Sequence, residues 1–243
     1  MKKILKKTKV KKISDVDKWN KQEKLHQRKA LENASKHFDK DDSLTVNHLQ
    51  AIYGKESSYG TQIRERGTAG AAGDFMFEKT TAIRFGLTVT KENDQRFDVD
   101  DASAASAKYL KIIDDSFKGP TSLTNSLKTI TVTNSKERTN FVIAAYNAGE
   151  GRIAKAKKLA KKDEKGPQKW DDVKKYLGPA GATKKKVQEI TEYVDKVQEY
   201  AKEFSKKSKA DKRAKFKKPS IIAISPKGGH WITKNGQHIL IGG

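Results

Sequence analysis

The sequence predicts a mainly α-helical fold with a small irregular or β element, a basic N-terminal arm and a C-terminal β-hairpin tail. Apolar side chains recur every three or four residues across 44–204, and glycines and asparagines stand at plausible turns between these stretches. Residues 219–243 instead read as short strands, with Asn235-Gly236 as a two-residue turn. The 243 residues include 35% hydrophobic side chains, enough for one sizeable core.

Four segments follow from this pattern. Residues 1–43 are polar and basic at the front, and their helix-like stretch has few apolar anchors, which predicts a weakly packed helical arm. Residues 44–204 form the predicted folded domain. The run SKKSKADKRAKFKK at 205–218 has almost nothing to bury and is typical of a solvated basic linker. Residues 219–243 complete the chain as a short strand and a hairpin.

Within the domain, the first helix is predicted to begin at an N-cap from Asp42 or Ser43 and to stop at Gly60. Its buried face is marked by side chains three or four residues apart: Val46, Leu49, Ile52, Tyr53 and Glu56. Further helices are predicted over 101–117, 140–149 and 184–204. A short strand is predicted over 128–134.

The charge and the residue types narrow the functional classes. The 52 Lys+Arg residues against 30 Asp+Glu residues leave a formal net charge of +22, which favours an anionic partner such as nucleic acid, a membrane face or a cell-wall polymer. No cysteine is present, so disulfides and thiolate chemistry are excluded. Histidines 26, 37, 48, 230 and 238 are scattered without acidic or cysteine ligands, so we predict no metal site and no cofactor.

Glu56 is the first candidate for chemistry. It continues the apolar face of its helix, so its carboxyl group is expected to lose hydration and to have a raised pKa, as a proton donor requires. The alternative is a glutamate at a helix end that turns to solvent or pairs with one of the many lysines.

Three further segments carry polar groups suited to a cleft. They are GTAGAAGDFMF at 67–77, AAYNAG at 144–149 and TEYVDKV at 191–197. Each alone is also explained as a glycine turn, a helix C-terminus or a tyrosine at the edge of the core.

In this order, ESSYG, GAAGDFM, AAYNAG and ITEYVDKV resemble the soluble lytic transglycosylase family, over about residues 44–204. The resemblance implies a goose-type-lysozyme-like helical domain that cleaves peptidoglycan with one acid and base, Glu56. It also implies that Ser57 and Tyr193 orient or polarise Glu56. The residues that it places at the sugar strand are Gly70, Ala71, Gly73, Tyr146 and Asn147. Met76 is placed at the sugar strand as well, but it stands where the family has a glutamine, so the hydrogen bond that an amide would make to substrate is not expected from it.

A glycoside hydrolase ordinarily uses two carboxylates. The sequence offers no partner for Glu56, because the remaining acids near these motifs are predicted to be solvated or to cap helices: Asp74, Asp94, Asp98, Asp100 and Asp101. The family's route needs only one carboxyl group. It protonates the glycosidic oxygen and then removes a proton from the muramyl 6-hydroxyl, which closes a 1,6-anhydro ring.

Two alternatives remain open at this point. One is a hydrolase of the same fold, a goose-type lysozyme. The other is a non-enzymatic virion or nucleic-acid-binding protein whose basic segments, 1–12 and 205–218, contact phosphates.

The start MKKILKKTKVKK lacks the apolar segment of a signal peptide, and no run is long enough to span a membrane. We therefore expect delivery to the cell wall by a phage particle, a lysis pore or a secretion device, with virion or secretion-apparatus proteins as further partners.

Overall fold

The computed structural model describes residues 13–63, 70–217, 220–224, 230–234 and 237–241, with side-chain positions as far as residue 210. The chain divides into two compact units, Met1–Ala201 and Lys202–Gly243. The α-helices are α1 (Asp15–Gln22), α2 (Leu25–Ala34), α3 (Val46–Ser57), α4 (Lys79–Arg84), α5 (Val99–Lys118), α6 (Ser135–Ala148), α7 (Glu150–Lys162), α8 (Trp170–Val173) and α9 (Lys184–Lys217). The strands are β1 (Ser122–Thr124), β2 (Leu127–Lys128), β3 (Ser220–Ile224), β4 (His230–Lys234) and β5 (Gln237–Ile241). The predicted mainly helical fold is confirmed.

Helix α5 lies at the centre of the first unit and packs against α2, α3 and α6. The side chain of Asp98 accepts hydrogen bonds from the backbone N–H groups of Asp100 and Asp101, so it caps the helix as predicted. Most apolar side chains of α5 are buried, among them Leu110 and Phe117, whereas Ile112 is 47% exposed. This helix is the platform on which the elements around Glu56 are placed.

The N-terminal segment is packed, which corrects the expectation of a loose arm. Val16 of α1 and Leu31 of α2 are both 0% exposed. The ring of Trp19 lies so close to α3 that a Cβ atom on Gly54 would approach it to 2.4 Å. A few apolar residues on one face of each short helix are therefore sufficient to seat the segment.

The beginning of α3 also differs from the prediction. Its N-cap is Thr45, whose N–H donates to Nδ1 of His48 at 3.1 Å. Burial lowers the pKa of His48 to about 4, so this histidine is a neutral capping acceptor rather than a surface residue. Ser43 is instead occupied by its bond to Asp114. The helix ends at Ser57, close to the predicted stop at Gly60.

Two further predictions of secondary structure were wrong. Residues 129–134 are not a strand; the backbone N–H of Val132 donates to the carbonyl of Phe117 at 2.8 Å, and the antiparallel pair is β1 with β2. Residues 205–217 are the last part of α9 rather than a linker, because a lysine-rich stretch without glycine or proline can extend an existing helix. Helix α7 was not predicted.

The second unit contains an antiparallel sheet in the order β3-β4-β5. Lys234 pairs with Gln237, so the predicted strand and hairpin are confirmed, while the turn residues 235–236 lie outside the described ones. Among the helices described, none combines the length and apolar character that a membrane span requires. The four domain bounds stay predictions.

Candidate active site

Glu56 opens into a cavity of about 430 Å³ in the first unit. The wall combines the loop before α4 with the C-terminal end of α6 and the first turns of α9. The residues that line the cavity are Glu56, Ala71, Phe75, Met76, Phe77, Glu78, Thr81, Tyr109, Tyr146, Asn147, Gly149, Lys186 and Glu189. Segments that are far apart in sequence therefore surround one carboxyl group.

The half-buried Glu56 accepts a hydrogen bond at Oε1 from the hydroxyl of Tyr193, which is 3% exposed. Burial raises the pKa of Glu56 to about 7, although Tyr193 and the nearby Lys55 favour the ionised form. Near neutral pH the carboxyl group is therefore populated both with and without its proton. A group that must act first as an acid and then as a base in one cycle needs this property.

Tyr146 forms another part of the cavity wall. Its hydroxyl donates to the carbonyl of Phe75 at 3.2 Å and accepts from Ser106 Oγ at 3.3 Å. Its ring packs against Tyr109 with centroids 5.5 Å apart. The hydroxyl of Tyr109 in turn donates to Glu150 at 3.0 Å. These contacts hold two aromatic rings rigidly along the wall.

Asn147 belongs to a polar network with two residues of α9 that sequence reasoning missed. Lys186 Nζ lies 2.6 Å from Glu189 Oε1 and 3.1 Å from Asn147 Oδ1. Asn147 Nδ2 donates to the same Glu189 oxygen at 3.4 Å. Hydrogen bonds from Lys186, with its charge, lower the pKa of Glu189. The sequence did contain a signal for Glu189, because this residue precedes Tyr193 by one helical turn and lies on the same face of the helix.

The glycine turn is held by a buried arginine that the sequence also did not reveal. Arg96 is 0% exposed, pairs with Asp94 at 2.8 Å, and donates to the carbonyls of Gly70 at 2.8 Å and Phe77 at 3.1 Å. Gly73 has φ +77, and a Cβ atom there would lie 2.0 Å from the Arg96 carbonyl oxygen. Asp94 is therefore a buried ion-pair partner rather than a solvated acid, and it also caps the short helical turn 95–97, as the capping alternative predicts, by accepting from the N–H of Arg96 at 3.2 Å.

Ala71 lies within this turn and Met76 follows it, and both border the cavity. Met76 is half-buried with φ +49, a conformation that few side chains adopt. Its thioether offers no amide to a ligand, as expected from the sequence. The predicted sugar contacts of Gly70, Ala71, Gly73, Met76, Tyr146 and Asn147 stay predictions.

Ser57 points away from the site, which corrects its predicted role. Its hydroxyl donates to the Tyr53 carbonyl at 3.2 Å and accepts from the N–H of Gly60 at 3.0 Å, and no hydrogen bond joins it to Glu56 within the described residues. Ser57 therefore closes the end of α3.

Asp74 is also buried, and burial raises its pKa to about 6 despite the hydrogen bond from Tyr53. It too is no solvated acid.

Aspartates that the sequence reading did not weigh as metal ligands come together at a distance from the cavity. Two groups have carboxylate oxygens within 4.8 Å of one another: Asp39, Asp41 and Asp42, and Asp42, Asp114 and Asp115. Lys118 Nζ lies among them, 2.9 Å from Asp41 and 3.1 Å from Asp115. The lysine already supplies the positive charge that a cation would bring.

Comparison with known proteins connects this arrangement to one family. Residues 34–169 match the model of the transglycosylase SLT domain. The chain is 31% identical over 159 residues, 63% of its length, to the membrane-bound lytic murein transglycosylase F of Pseudomonas fluorescens. It is 31% identical over 167 residues, 66% of its length, to the protein of that name from Pseudomonas savastanoi pv. phaseolicola. The chain spans only 28% and 29% of the length of these two relatives.

Proposed function

Because the chain belongs to the transglycosylase SLT domain family, we propose that it is a peptidoglycan lytic transglycosylase with Glu56 as its acid and base. The observation that carries the proposal is the pairing of the half-buried Glu56 with Tyr193 inside a cavity, with a pKa of about 7. The names of its relatives, which are lytic murein transglycosylases, support the same reaction.

In the proposed reaction, protonated Glu56 gives its proton to the glycosidic oxygen between N-acetylmuramic acid and N-acetylglucosamine. The bond from that oxygen to the muramyl C1 breaks, and the leaving sugar departs as an alcohol. The ionised Glu56 then takes the proton of the muramyl 6-hydroxyl, whose oxygen bonds to C1. The carboxyl group regains its proton, and no water is consumed.

The hydroxyl of Tyr193 has a positioning role in this cycle. It fixes Oε1 of Glu56, so the other oxygen, Oε2, can face the substrate. A hydrogen bond to a carboxylate is stronger than one to a neutral acid. Tyr193 therefore stabilises Glu56 in its ionised state, the state that follows the first proton transfer.

Glu189 is the nearest rival for a second carboxylate, because it lines the same cavity and its charge raises the pKa of Glu56. Its contacts favour another role. It is held ionised by hydrogen bonds from Lys186 and Asn147, which lower its pKa rather than raise it. This supports the single-carboxylate route over hydrolysis.

Digestion of purified sacculi followed by mass spectrometry of the muropeptides tests the proposal. The wild type is expected to release 1,6-anhydro products, which are lighter by one water than those of a hydrolase. Glu56→Gln keeps the shape of the side chain but cannot supply the proton, so its rate should fall by about 10²–10⁴-fold.

One matched control and one further variant accompany this test. Glu32→Gln, an exposed glutamate of α2, should leave the rate unchanged. Glu189→Gln should reduce the rate without changing the mass of the product. Hydrated products from the wild type would establish a goose-type lysozyme instead, and equal rates for wild type and Glu56→Gln would remove Glu56 from its role.

A non-enzymatic role on nucleic acid is the third outcome of this test. It would require an inactive wild type together with salt-dependent DNA binding. Delivery by a phage particle, a lysis pore or a secretion device stays a prediction, as do virion or secretion-apparatus partners.

A further inference from the structure

Helix α7 carries a row of lysines on its solvent-exposed face. Lys155, Lys158 and Lys162 follow each other by three and four residues, and all three are exposed. At 100° per residue they lie within an arc of about 60° around the helix axis, and the row is about 10 Å long. These three residues, the α7 row, therefore display their positive charges along one straight line.

The opposite face of α7 is used for packing. Its buried residues are Ile153, Ala154, Ala156, Lys157 and Ala160. Through this face the helix contacts α6, α8 and β2. A helix that lies on a membrane inserts its apolar face, and the apolar face of α7 is already covered. The α7 row therefore offers a partner charge rather than apolar surface.

The lysines of the α7 row lack the partners that other lysines of this protein have. Lys186 and Lys196 each pair with a glutamate three residues later, at 2.6 and 2.8 Å. Within the described residues, no ion pair involves the α7 row, and no acid stands three or four residues from any of its members. Lys158 instead has a lysine three residues away on either side. Like charges at this spacing destabilise a helix.

The helix dipole accounts only for the end of the row. Positive side chains stabilise the last turn of a helix, and Lys161 and Lys162 stand in that turn of α7. The effect falls off within one turn, so it does not extend to Lys155 and Lys158. An anionic partner would relieve the repulsion along the row, so the charges favour binding to a polyanion.

We propose that the α7 row binds a linear phosphodiester polymer of the cell wall and thereby holds the enzyme on the wall. Lysine binds phosphate as a point charge, without the planar fork with which arginine selects the geometry of a carboxylate. A flexible chain with one negative charge per repeating unit fits a straight row of such groups. The choice of a wall polymer rests on the proposed function, which brings the protein to the wall.

The α7 row is separate from the catalytic cavity. Gly149 lines that cavity, and α7 begins at the next residue, but no residue of α7 belongs to the lining. Nucleic acid is the other phosphodiester polymer that the charge could serve. Proteins that hold single strands stack the bases on aromatic rings, and proteins that read duplexes use arginine or amide side chains. The α7 row contains none of these groups, so it favours a polymer without bases.

The test is the binding of the full chain to poly(glycerol phosphate), with Glu56→Gln present so that the protein does not cut the wall. The α7 variant replaces the row with glutamine, which keeps the helix propensity of lysine. Its substitutions are Lys155→Gln, Lys158→Gln and Lys162→Gln. The control variant loses the same charge at exposed lysines elsewhere that form no ion pair with the described residues. Its substitutions are Lys21→Gln, Lys29→Gln and Lys91→Gln.

The α7 variant should bind the polymer about tenfold or more weakly at about 0.1 M salt, whereas the control variant should stay within about twofold of the parent. The dependence of log affinity on log salt should become shallower by about 2, because each phosphate contact contributes about 0.7. Arginine at the same three positions keeps the charge and should keep the affinity. Equal affinities for the α7 and control variants would overturn the proposal, and so would an equal loss with arginine.

Sacculi identify the source of the phosphates. The parent protein should bind sacculi that retain their phosphodiester polymer more tightly than sacculi stripped of it, and the α7 variant should lose this preference. Tighter binding of the parent to single-stranded DNA than to poly(glycerol phosphate) of equal phosphate number would assign the row to nucleic acid and refute a wall polymer.

Catalysis is measured separately from this binding. With Glu56 restored, the α7 variant should cut stripped sacculi at the wild-type rate, and a slower rate would place the row in the reaction rather than in anchoring. Since the binding measurements use a protein that does not cut, they decide the role of the α7 row even if the wild type proves inactive.

Discussion

Replacing Tyr193 with phenylalanine removes the hydroxyl that donates to Glu56 Oε1 and leaves the ring in place. The hydrogen bond favours the ionised carboxyl group and so opposes burial, which raises the pKa of Glu56 to about 7. Without the hydroxyl, the ionised form of Glu56 is favoured only by the weaker influence of the Lys55 and Lys186 charges. The pKa of Glu56 in the variant is therefore higher than in the wild type.

The size of the change follows from the bond that is lost. A hydrogen bond to a charged group contributes about 1.5–3 kcal/mol, and each 1.36 kcal/mol corresponds to about one pH unit. Part of the bond also exists with the protonated carboxyl group, so the lower end of this range applies. The alkaline limb of the rate, near pH 7 in the wild type, should move up by about one pH unit.

The assay is the pH dependence of kcat/KM for muropeptide release between pH 4 and pH 10. The variant should also be slower at its optimum, because the carboxyl oxygen is no longer held in place. Tyr176→Phe, outside the cavity, is the control for a lost phenolic hydroxyl. An alkaline limb that stays where it is or moves to lower pH would refute the assignment of Tyr193 to Glu56.

Three further predictions concern stability, each checked by the thermal unfolding temperature. Gly73→Ala should lower the free energy of unfolding by about 2–4 kcal/mol, because the new Cβ atom would lie 2.0 Å from the Arg96 carbonyl oxygen. An unfolding temperature equal to that of the wild type would contradict this contact. Lys157 is fully buried, makes no hydrogen bond through Nζ with the described residues, and lies 3.9 Å from the Phe141 ring. Burial lowers the pKa of Lys157 to about 7. The free energy of unfolding of the wild type should therefore rise as the pH increases above 7. Below pH 7, Lys157→Met should increase the free energy of unfolding by about 1–3 kcal/mol, and an unfolding temperature equal to that of the wild type would contradict this. The pKa of Glu56 is higher in the folded protein than in the unfolded chain, so the free energy of unfolding should fall as the pH rises from about 4.5 to about 7. The increase in the free energy of unfolding caused by Glu56→Gln should be about 2–3 kcal/mol larger at pH 8 than at pH 4. An increase independent of pH would exclude a buried acid.

Helices with regular apolar spacing were predictable, and others were not. The helix that carries Glu56 and the helix α5 stand out because every third or fourth residue is apolar over several turns. The strand expected over 128–134 has β-branched residues, yet the local chain turns to bond Phe117 instead. The strand propensity of a short segment is weaker than the tertiary contacts available to it.

The candidate site was likewise predictable only in part. The motifs identified Glu56, Tyr146, Asn147 and Tyr193, and the family resemblance also implied that Ser57 orients or polarises Glu56. Adjacent residues of a helix point in directions about 100° apart, and Ser57 serves the helix end instead.

The sequence by itself determined the helical class, the carboxyl group at the end of an apolar face, and the order of the polar motifs that follow it. Only the tertiary structure decided which of the two implied partners contacts Glu56: the hydroxyl of Tyr193 does, across 137 positions of sequence, whereas Ser57 bonds to the end of α3. It also decided that α1, which seemed a loose arm, forms part of a cavity wall. Local patterns report which face of each element is apolar, whereas the desolvation and hydrogen bonding of one carboxyl group depend on every element packed around it.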